Sequence, residues 1–450
     1  MKTKAQFFLI VVLLSTHILS AKQYTLKSLC HLGWADNPTI KALSYKVQAK
    51  EYGSKQSYDK YKPHIRLGLD TGYNQYKDVL ITHQSSSFAR GMFEYSVNAV
   101  EPIYQPFFLN NIKNANLHLM LSKLKLKNEK ALLIAKITNL SIELIRQNQI
   151  LAIAKSNFLL FKRLFNITNE KYKLRLVDKA NLFQARAQLQ QAKSNWITIQ
   201  QKYLYTFSNL KLLVNSNDIS NRYFQKRFHI NMEKAKKRFS HGFYKHLSKN
   251  IFSNTQVQIY KAYVKIANND IDKQRVRRYP VVTLDMRYAS TQPNAVEGRR
   301  DVAQALIGVN IPLYQGGEIG DAVEEARLNL NAANEYLQSA KLKNSIAFEQ
   351  NWNQIISSIG NISATRYAKS ANYYYVTSAL ESYKNGVKSL TYVQLAEVNY
   401  YRAKIKYIDA EAIMLKSIVN LYYYAGTSTS QRIGLLAKRY ITSKGNLNEF

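Results

Sequence analysis

From His64 to Gln75 the chain alternates: Ile65, Leu67, Leu69, Thr71 and Tyr73 lie on one side, and Arg66, Gly68, Asp70, Gly72 and Asn74 on the other. A period of two is that of a strand with two differently solvated faces. The same pattern recurs three times. Phe93, Tyr95, Val97 and Ala99 oppose Glu94, Ser96 and Asn98; Val282, Leu284, Met286 and Tyr288 oppose Thr283, Asp285 and Arg287; Ala303, Ala305, Ile307, Val309 and Ile311 oppose Gln304, Gly308 and Asn310. Strands are therefore predicted at about 64–76, 92–103, 281–291 and 302–313. The Ser-rich stretch Lys77 to Gly91, and Gln292 to Arg300 with its Pro293 and Gly298, read as the loops between them.

Elsewhere the period lengthens. There is no glycine between Gly91 and Gly242 and no proline between Pro106 and Pro280, which predicts very long helices over about 107–213. Leu117, Leu121 and Leu124, then Leu133, Ile137, Leu140 and Leu144, step by four and three as a coiled-coil seam does. At roughly 1.5 Å per residue, Phe107 to Asn169 would reach about 90 Å. The run Lys171 to Lys179 is the expected reversal. Thr25 to Tyr61 is helical with a cap at Asn37-Pro38, and Gln256 to Arg278 is helical up to Tyr279-Pro280. After the last strand come helices at Asp321 to about Ile359 and Ala364 to Tyr383. Asn385-Gly386 marks a second return, and a final helix runs to Tyr424, closed by Gly426-Thr427. Asn215 to Ser248 reads as a linker with short helices, and Ser428 to Phe450 shows no clear pattern.

The two halves repeat one another. Pro63 matches Pro280, Glu101 to Pro106 matches Ile311 to Gly316, Tyr172-Lys173 matches Tyr383-Lys384, and Ala185 matches Ala396. Five parts are expected: a signal peptide over 1–21, a first repeat over 22–214, an equatorial linker over 215–249, a second repeat over 250–427 with long helices at about 317–425, and a tail over 428–450. The fold class is mainly α, with four strands and a duplicated unit of helix, strand, strand and long helical hairpin.

Composition narrows the function. The 450-residue chain carries a formal charge of +35 with 46% hydrophobic residues, too apolar for a disordered chain. Phe7 to Leu14 behind Lys2 and Lys4, followed by Ser20 and Ala21, has the shape of a cleaved secretory signal. No later segment approaches eighteen unbroken apolar residues, so any crossing of a bilayer would use strands. Cys30 is the single cysteine, which excludes an intramolecular disulfide and reads as structural. The lysines are spread along helical faces, as solvated faces are, and nucleic acid is not an expected partner. No His-Glu-x-x-His, calcium loop or Gly-rich phosphate loop is present, and Asp270, Asp272, His241 and His246 lack the neighbours a metal needs. Neither catalysis nor a cofactor is expected.

Four two-sided strands leave unpaired edges that lipid cannot satisfy, so they must close with strands of other copies. Tyr73, Tyr76, Phe93 and Tyr288 at one end, and Tyr104, Phe107, Phe108 and Tyr314 at the other, are placed as interfacial girdles. Arg66, Asp70, Glu94, Asn98, Asp285, Arg287 and Asn310 then line a watery lumen. Pro102, Pro106, Pro312, Gly316 and Gly317 mark the junctions where barrel gives way to helix. Gly-Gly is kept only in the second copy, so the two junctions are expected to bend differently.

The Pro-Leu-Tyr-Gln-Gly-Gly turn at Pro312 to Gly317 carries a family resemblance. So do the two returns, with Tyr172, Leu182, Ala185, Arg186, Ala187 and Gln188 in the first and Tyr383, Gly386, Val393 and Ala396 in the second. They make the chain similar to the TolC-type outer-membrane efflux proteins over nearly its whole length after the signal. The resemblance implies a homotrimer with one shared transmembrane β-barrel in outer-membrane lipid, and a periplasmic α-helical tunnel docking on a periplasmic adaptor protein and an inner-membrane transporter. It implies an exit duct in tripartite efflux or type I secretion. The tunnel-mouth candidates are Arg175, Asp178, Asn181, Gly386, Tyr392 and Leu395. Arg175 replaces the glycine of the first return. Tyr392 and Leu395 stand where family members often carry aspartates, pointing to an apolar or aromatic constriction; Asp178 and Glu397 nearby belong to solvated faces. The competing reading is an exported helical scaffold or adhesin binding anionic surfaces.

Overall fold

The computed structural model describes residues 24–79, 85–293 and 299–442. The expected signal, the tip of the first hairpin loop, most of the second loop and the last residues of the tail lie outside these.

Helix α1 (Leu26–Asp36) starts at a reciprocal cap: the Ser28 amide donates to Thr25 Oγ1 (3.1 Å) and the Thr25 amide to Ser28 Oγ (2.7 Å). Asn37 leaves the helical region and caps α2 (Pro38–Asp59) through Oδ1, which accepts from the Thr39 and Ile40 amides. Its Nδ2 donates to the Leu213 carbonyl at 2.9 Å. One side chain thus ends one helix, starts the next and pins both to a distant rod.

Strands β1 (His64–Val79) and β2 (Ser85–Tyr104) form a hairpin. They run further than the sequence pattern implies. The stretch expected to loop from Lys77 to Gly91 is largely strand, with Lys77 opposite Ser87 and Tyr73 opposite Gly91. Serine does not forbid extended backbone, and the ladder of amide bonds carries the pairing past the end of the apolar pattern.

Helix α3 (Pro106–Lys173, 68 residues) and α4 (Lys179–Val214) form the first long hairpin; α3 alone spans about 100 Å. The segment read as a linker with short helices does hold short helices, and they are packed into the core. It holds a 3₁₀ turn at Asn221–Gln225, β3 (Arg227–Phe228), α5 (Met232–Arg238) and α6 (His241–Ser248), and it contributes Phe224, Ile230, Ala235, Phe239 and Leu247 to the main core. Its many lysines mask this, because their charge is on the outer face only.

Helix α7 (Thr255–Arg275) leads through a 3₁₀ turn (Val276–Arg278) to β4 (Val281–Pro293) and β5 (Arg300–Asn310). The last strand stops at Asn310 rather than 313, where Pro312 removes a ladder donor. Helix α8 (Glu318–Lys384) is continuous over 67 residues and α9 (Leu390–Tyr424) returns beside it. The break expected between Ile359 and Ala364 is absent. Gly360 costs helix propensity, on the order of 1 kcal/mol, but Ile355, Ile359 and Ile362 are buried around it and hold the turn. The tail, without evident pattern in sequence, folds as α10 (Ser430–Tyr440) and β6 (Ile441–Thr442), the latter pairing with β3.

The sheet order is β1-β2-β4-β5, all antiparallel, so the hairpin of each half contributes two adjacent strands and both edges are open. The main core sits at mid-length of the rods, where α1, α3, α4, α8, α9 and α10 meet the segment between the repeats. Smaller clusters run along the rods: Leu121 with Ile259, Ala262 and Ile266; Ile271 with Ile319, Val323 and Ala326; Val376 and Ala379 with Val393 and Ala396.

Candidate functional site

The sheet keeps its two faces in three dimensions. Register places Arg66, Asn98, Arg287 and Gln304 in one row across the four strands, and Asp70, Glu94, Thr291 and Arg300 in another on the same face. Asp285 lies opposite Val100, and Asn310 opposite Val281, also on that face. All seven lumen candidates therefore share one side. Arg287 donates to Glu94 Oε1 at 2.6 Å, and the Thr291 hydroxyl lies 3.2 Å from Glu94 Oε2.

The other face is apolar and bare in the single chain. Ile65, Leu67 and Leu69 are 73%, 69% and 64% exposed, and Tyr73, Phe93, Ile307 and Val309 are exposed beside them. The side chain of Tyr76, expected in the girdle, is outside the described residues. An apolar band of this extent on a sheet with two open edges has no cover among the described residues.

The junctions below the sheet differ. In the first, Gln105 alone separates β2 from α3, its carbonyl accepts from the Tyr61 hydroxyl at 3.0 Å, and Pro106 opens the helix at a position that needs no amide. Pro102 sits on β2, where the register slips by one residue before Tyr104. In the second, Ile311 to Gly317 intervene, with Gly316 at φ 60° and Gly317 at φ 91°. A Cβ at either glycine would meet nothing within 4 Å, so it is the backbone conformation, not space, that asks for glycine. Leu313 and Tyr314 stand 92% and 87% exposed beside Pro312.

At the far ends of the rods are the two returns. The amides of Leu174, Arg175 and Leu176 donate to the carbonyls of Glu170, Tyr172 and Lys171; those of Asn385, Gly386 and Val387 donate to Glu381, Tyr383 and Ser382. These are the same bonds in the same order. Arg175 is at φ 54° and Gly386 at φ 74°. The returns touch: the Lys171 ammonium lies 4.7 Å from the Tyr383 ring centre, and Leu390 packs against the cluster of Phe161, Leu164 and Ala192.

This geometry is shared with known proteins. The outer membrane efflux protein (OEP) family matches residues 247–427. The outer membrane protein TolC of Salmonella enteritidis is 23% identical over 277 residues, 59% of this chain and 55% of TolC. The proteases secretion protein PrtF of Dickeya chrysanthemi is 22% identical over 190 residues, 41% of this chain and 40% of PrtF. The chain thus spans about half the length of the curated relatives it matches. The Campylobacter jejuni CmeC outer membrane channel superposes with a TM-score of 0.75 at 15% identity, covering 92% of this chain and 89% of that one. The likeness to CmeC shows a shared fold.

Within this fold the return candidates take distinct places. Asp178 caps α4, its Oδ1 accepting from the Asn181 amide at 2.8 Å, so both are engaged in starting that helix. Ser389, the counterpart of Asp178, makes no side-chain cap bond. Tyr392 lies partly buried with its ring 5.5 Å from that of Tyr375 on the same hairpin, while Leu395 is 55% exposed. Glu397 is half-buried, and burial pushes its carboxyl up against the opposing pull of Lys404.

Sequence reasoning did not find the polar ties inside the rods. Arg146 on α3 donates to Asp409 on α9 and to Glu143, both at 2.7 Å; Glu143 also accepts from Lys416 at 2.5 Å and from Gln147 at 2.9 Å. Burial works against the charged Glu143, but Lys416, Arg146 and Gln147 hold its carboxyl below the usual value. The residues are 263 and 273 positions apart in the chain, so no local signal marks them. A second hidden group is Glu411, 2% exposed, accepting from the Tyr407 hydroxyl at 2.9 Å. Burial pushes its carboxyl up to about 7, against the weaker effects of Tyr407, Arg366 and Lys369.

Proposed function

We propose that this chain is a TolC-type outer-membrane efflux protein, one protomer of a homotrimeric outer-membrane duct that extends into the periplasm and serves a tripartite efflux or type I secretion system. The observation that carries the reading is the four-stranded sheet, polar on one face and bare apolar on the other, open at both edges and continuous with rods of about 100 Å. Three copies closing β5 against the next chain's β1 remove every edge, bury the apolar band in outer-membrane lipid and turn the row of Arg66, Asn98 and Arg287 to a water-filled lumen. Among the described residues no helix is long and apolar enough to cross a membrane, so the sheet is the element that meets the bilayer.

The duct itself is passive. Energy comes from an inner-membrane transporter, joined through a periplasmic adaptor at the returns, where Leu174, Leu176 and Val387 are exposed. The name of PrtF speaks of protein secretion and the matched family of efflux, which supports small toxic compounds and secreted proteins as the two cargo classes. Tyr392 and Leu395 narrow the tunnel mouth as an apolar constriction, and parting of the two returns opens it.

Two measurements test this. The chain should extract from membranes only with detergent, as a trimer, and should conduct ions in a planar bilayer. A water-soluble, non-conducting monomer would overturn the proposal in favour of a scaffold or adhesin with basic faces. Tyr392→Ala should raise single-channel conductance, and an unchanged conductance counts against the constriction.

A further inference from the structure

Away from the sheet and the returns, a cavity of about 230 Å³ opens between the end of α5 and α6, α9 and α10. Four basic side chains line it, Arg238, His246, Arg432 and Arg439, and no carboxylate does. Among the described residues none of the four pairs with an acidic group. Three guanidiniums gathered without a counter-charge repel one another, and a bound anion relieves that repulsion.

The inner wall adds directed donors. Arg238 donates through one terminal nitrogen to the Tyr422 hydroxyl at 2.7 Å, while its Nε–H is cut off from solvent with no partner. Having accepted from Arg238, the buried Tyr422 hydroxyl has its own proton to donate. Burial pushes the Tyr440 phenol up, which keeps that hydroxyl a neutral donor. Arg432 lies over the Tyr422 ring at 5.8 Å and Arg238 over the Phe243 ring at 5.6 Å, so aromatic faces back both guanidiniums. The rest of the lining is apolar: Leu247, Ile418 and Leu436 are buried, and Leu435 is exposed at the rim.

A basic mouth over an apolar floor selects for an anion with a hydrophobic body rather than for a bare ion. We propose that this pocket binds a small organic anion, an aromatic or aliphatic group bearing one phosphate or carboxylate, with Arg238, Arg432 and Arg439 holding the anionic end and Phe243, Leu247 and Leu436 the apolar end. The site belongs to the waist of the rods, outside the duct, and does not depend on conduction.

Isothermal titration of the full chain in detergent micelles tests it with three probes: phenyl phosphate, benzoate and inorganic phosphate. Phenyl phosphate or benzoate should bind saturably, one per chain, at least fivefold tighter than inorganic phosphate; whichever binds tighter assigns the anionic group. Arg432 and Arg439 are exposed, so the double variant Arg432→Gln, Arg439→Gln should fold, as circular dichroism will report, and should lose tenfold or more in affinity. Raising the ionic strength should weaken binding to the native chain, a readout independent of any variant. Failure of both organic anions to bind, equal affinity for inorganic phosphate, or a double variant within twofold of the native chain would overturn the proposal.

Discussion

At the first return the chain reverses through Leu174 and Arg175, at the second through Asn385 and Gly386, and the backbone bonds match one for one. What differs is how each is supported. The second uses glycine, which adopts positive φ at no steric cost; the first holds an arginine at φ 54°. Compensation sits three residues on in the same loop: Asp178 caps the outgoing helix, whereas Ser389 makes no such bond. One backbone motif is thus stabilised by conformational freedom in one copy and by a side-chain hydrogen bond in the other. The difference teaches that a return is specified by its bond pattern, and that the residue at its centre is exchangeable when another contact makes up the cost.

Further up, the contrast between the halves becomes one of electrostatics. Arg146 joins α3 of the first hairpin to α9 of the second, and its loss should break the comparison most severely by letting the hairpins move independently. Arg146→Met leaves Glu143 and Asp409 short of a partner in a half-buried site and should cost about 3 kcal/mol, read by thermal denaturation in detergent. Double-mutant cycles with Asp409→Asn should show a coupling of about 1 kcal/mol or more.

Glu411 sharpens the same contrast, because its repeat-related position on α4 is the exposed Gln200. A carboxyl raised to about 7 by burial keeps its proton in the folded chain when the unfolded chain has already lost it. Its contribution is therefore most favourable below the unfolded value, near pH 4.3, and is lost as pH rises to about 7. Glu411→Gln should stabilise the chain by on the order of 2 kcal/mol at pH 8 and by little at pH 4.5, with melting temperatures at the two pH values as the check.

The returns themselves give smaller effects. Gly386→Ala should cost about 1–2 kcal/mol, while Arg175→Gly should gain up to about 1 kcal/mol. Local hydrogen exchange at the amides of Arg175, Leu176, Gly386 and Val387 would resolve both; a loss on Arg175→Gly would mean that the arginine is held by contacts beyond the backbone. Smallest is the cap: Asp178→Ala should cost about 1 kcal/mol, and Ser389→Ala nothing measurable.

Much of this molecule was legible before any coordinates. Alternation at Ile65 to Tyr73 and at Ala303 to Val309 announced two-faced strands, because the side-chain period of a strand is a local property of the backbone. The run without glycine or proline from Pro106 onward announced rods for the same reason. The segment from Asn215 to Ser248 was opaque, because its short elements set Phe224 against Phe207 of α4 and Phe239 against Trp352 of α8 without a period long enough to read; the tail was missed although Ile433, Leu436 and Tyr440 recur at helical spacing. Gly360 misled in the opposite direction, since a local penalty of about 1 kcal/mol yields to the packing of three isoleucines.

The sequence by itself determined the elements, their duplication and the two-sidedness of the sheet, because each follows from interactions within a few residues. Only the tertiary structure decided that Arg146 meets Asp409, that Glu411 is sealed from water and that Arg238 joins Arg432 and Arg439 beside Tyr422. Those facts depend on which surfaces the rods bring together across more than a hundred intervening residues, and no local period encodes that.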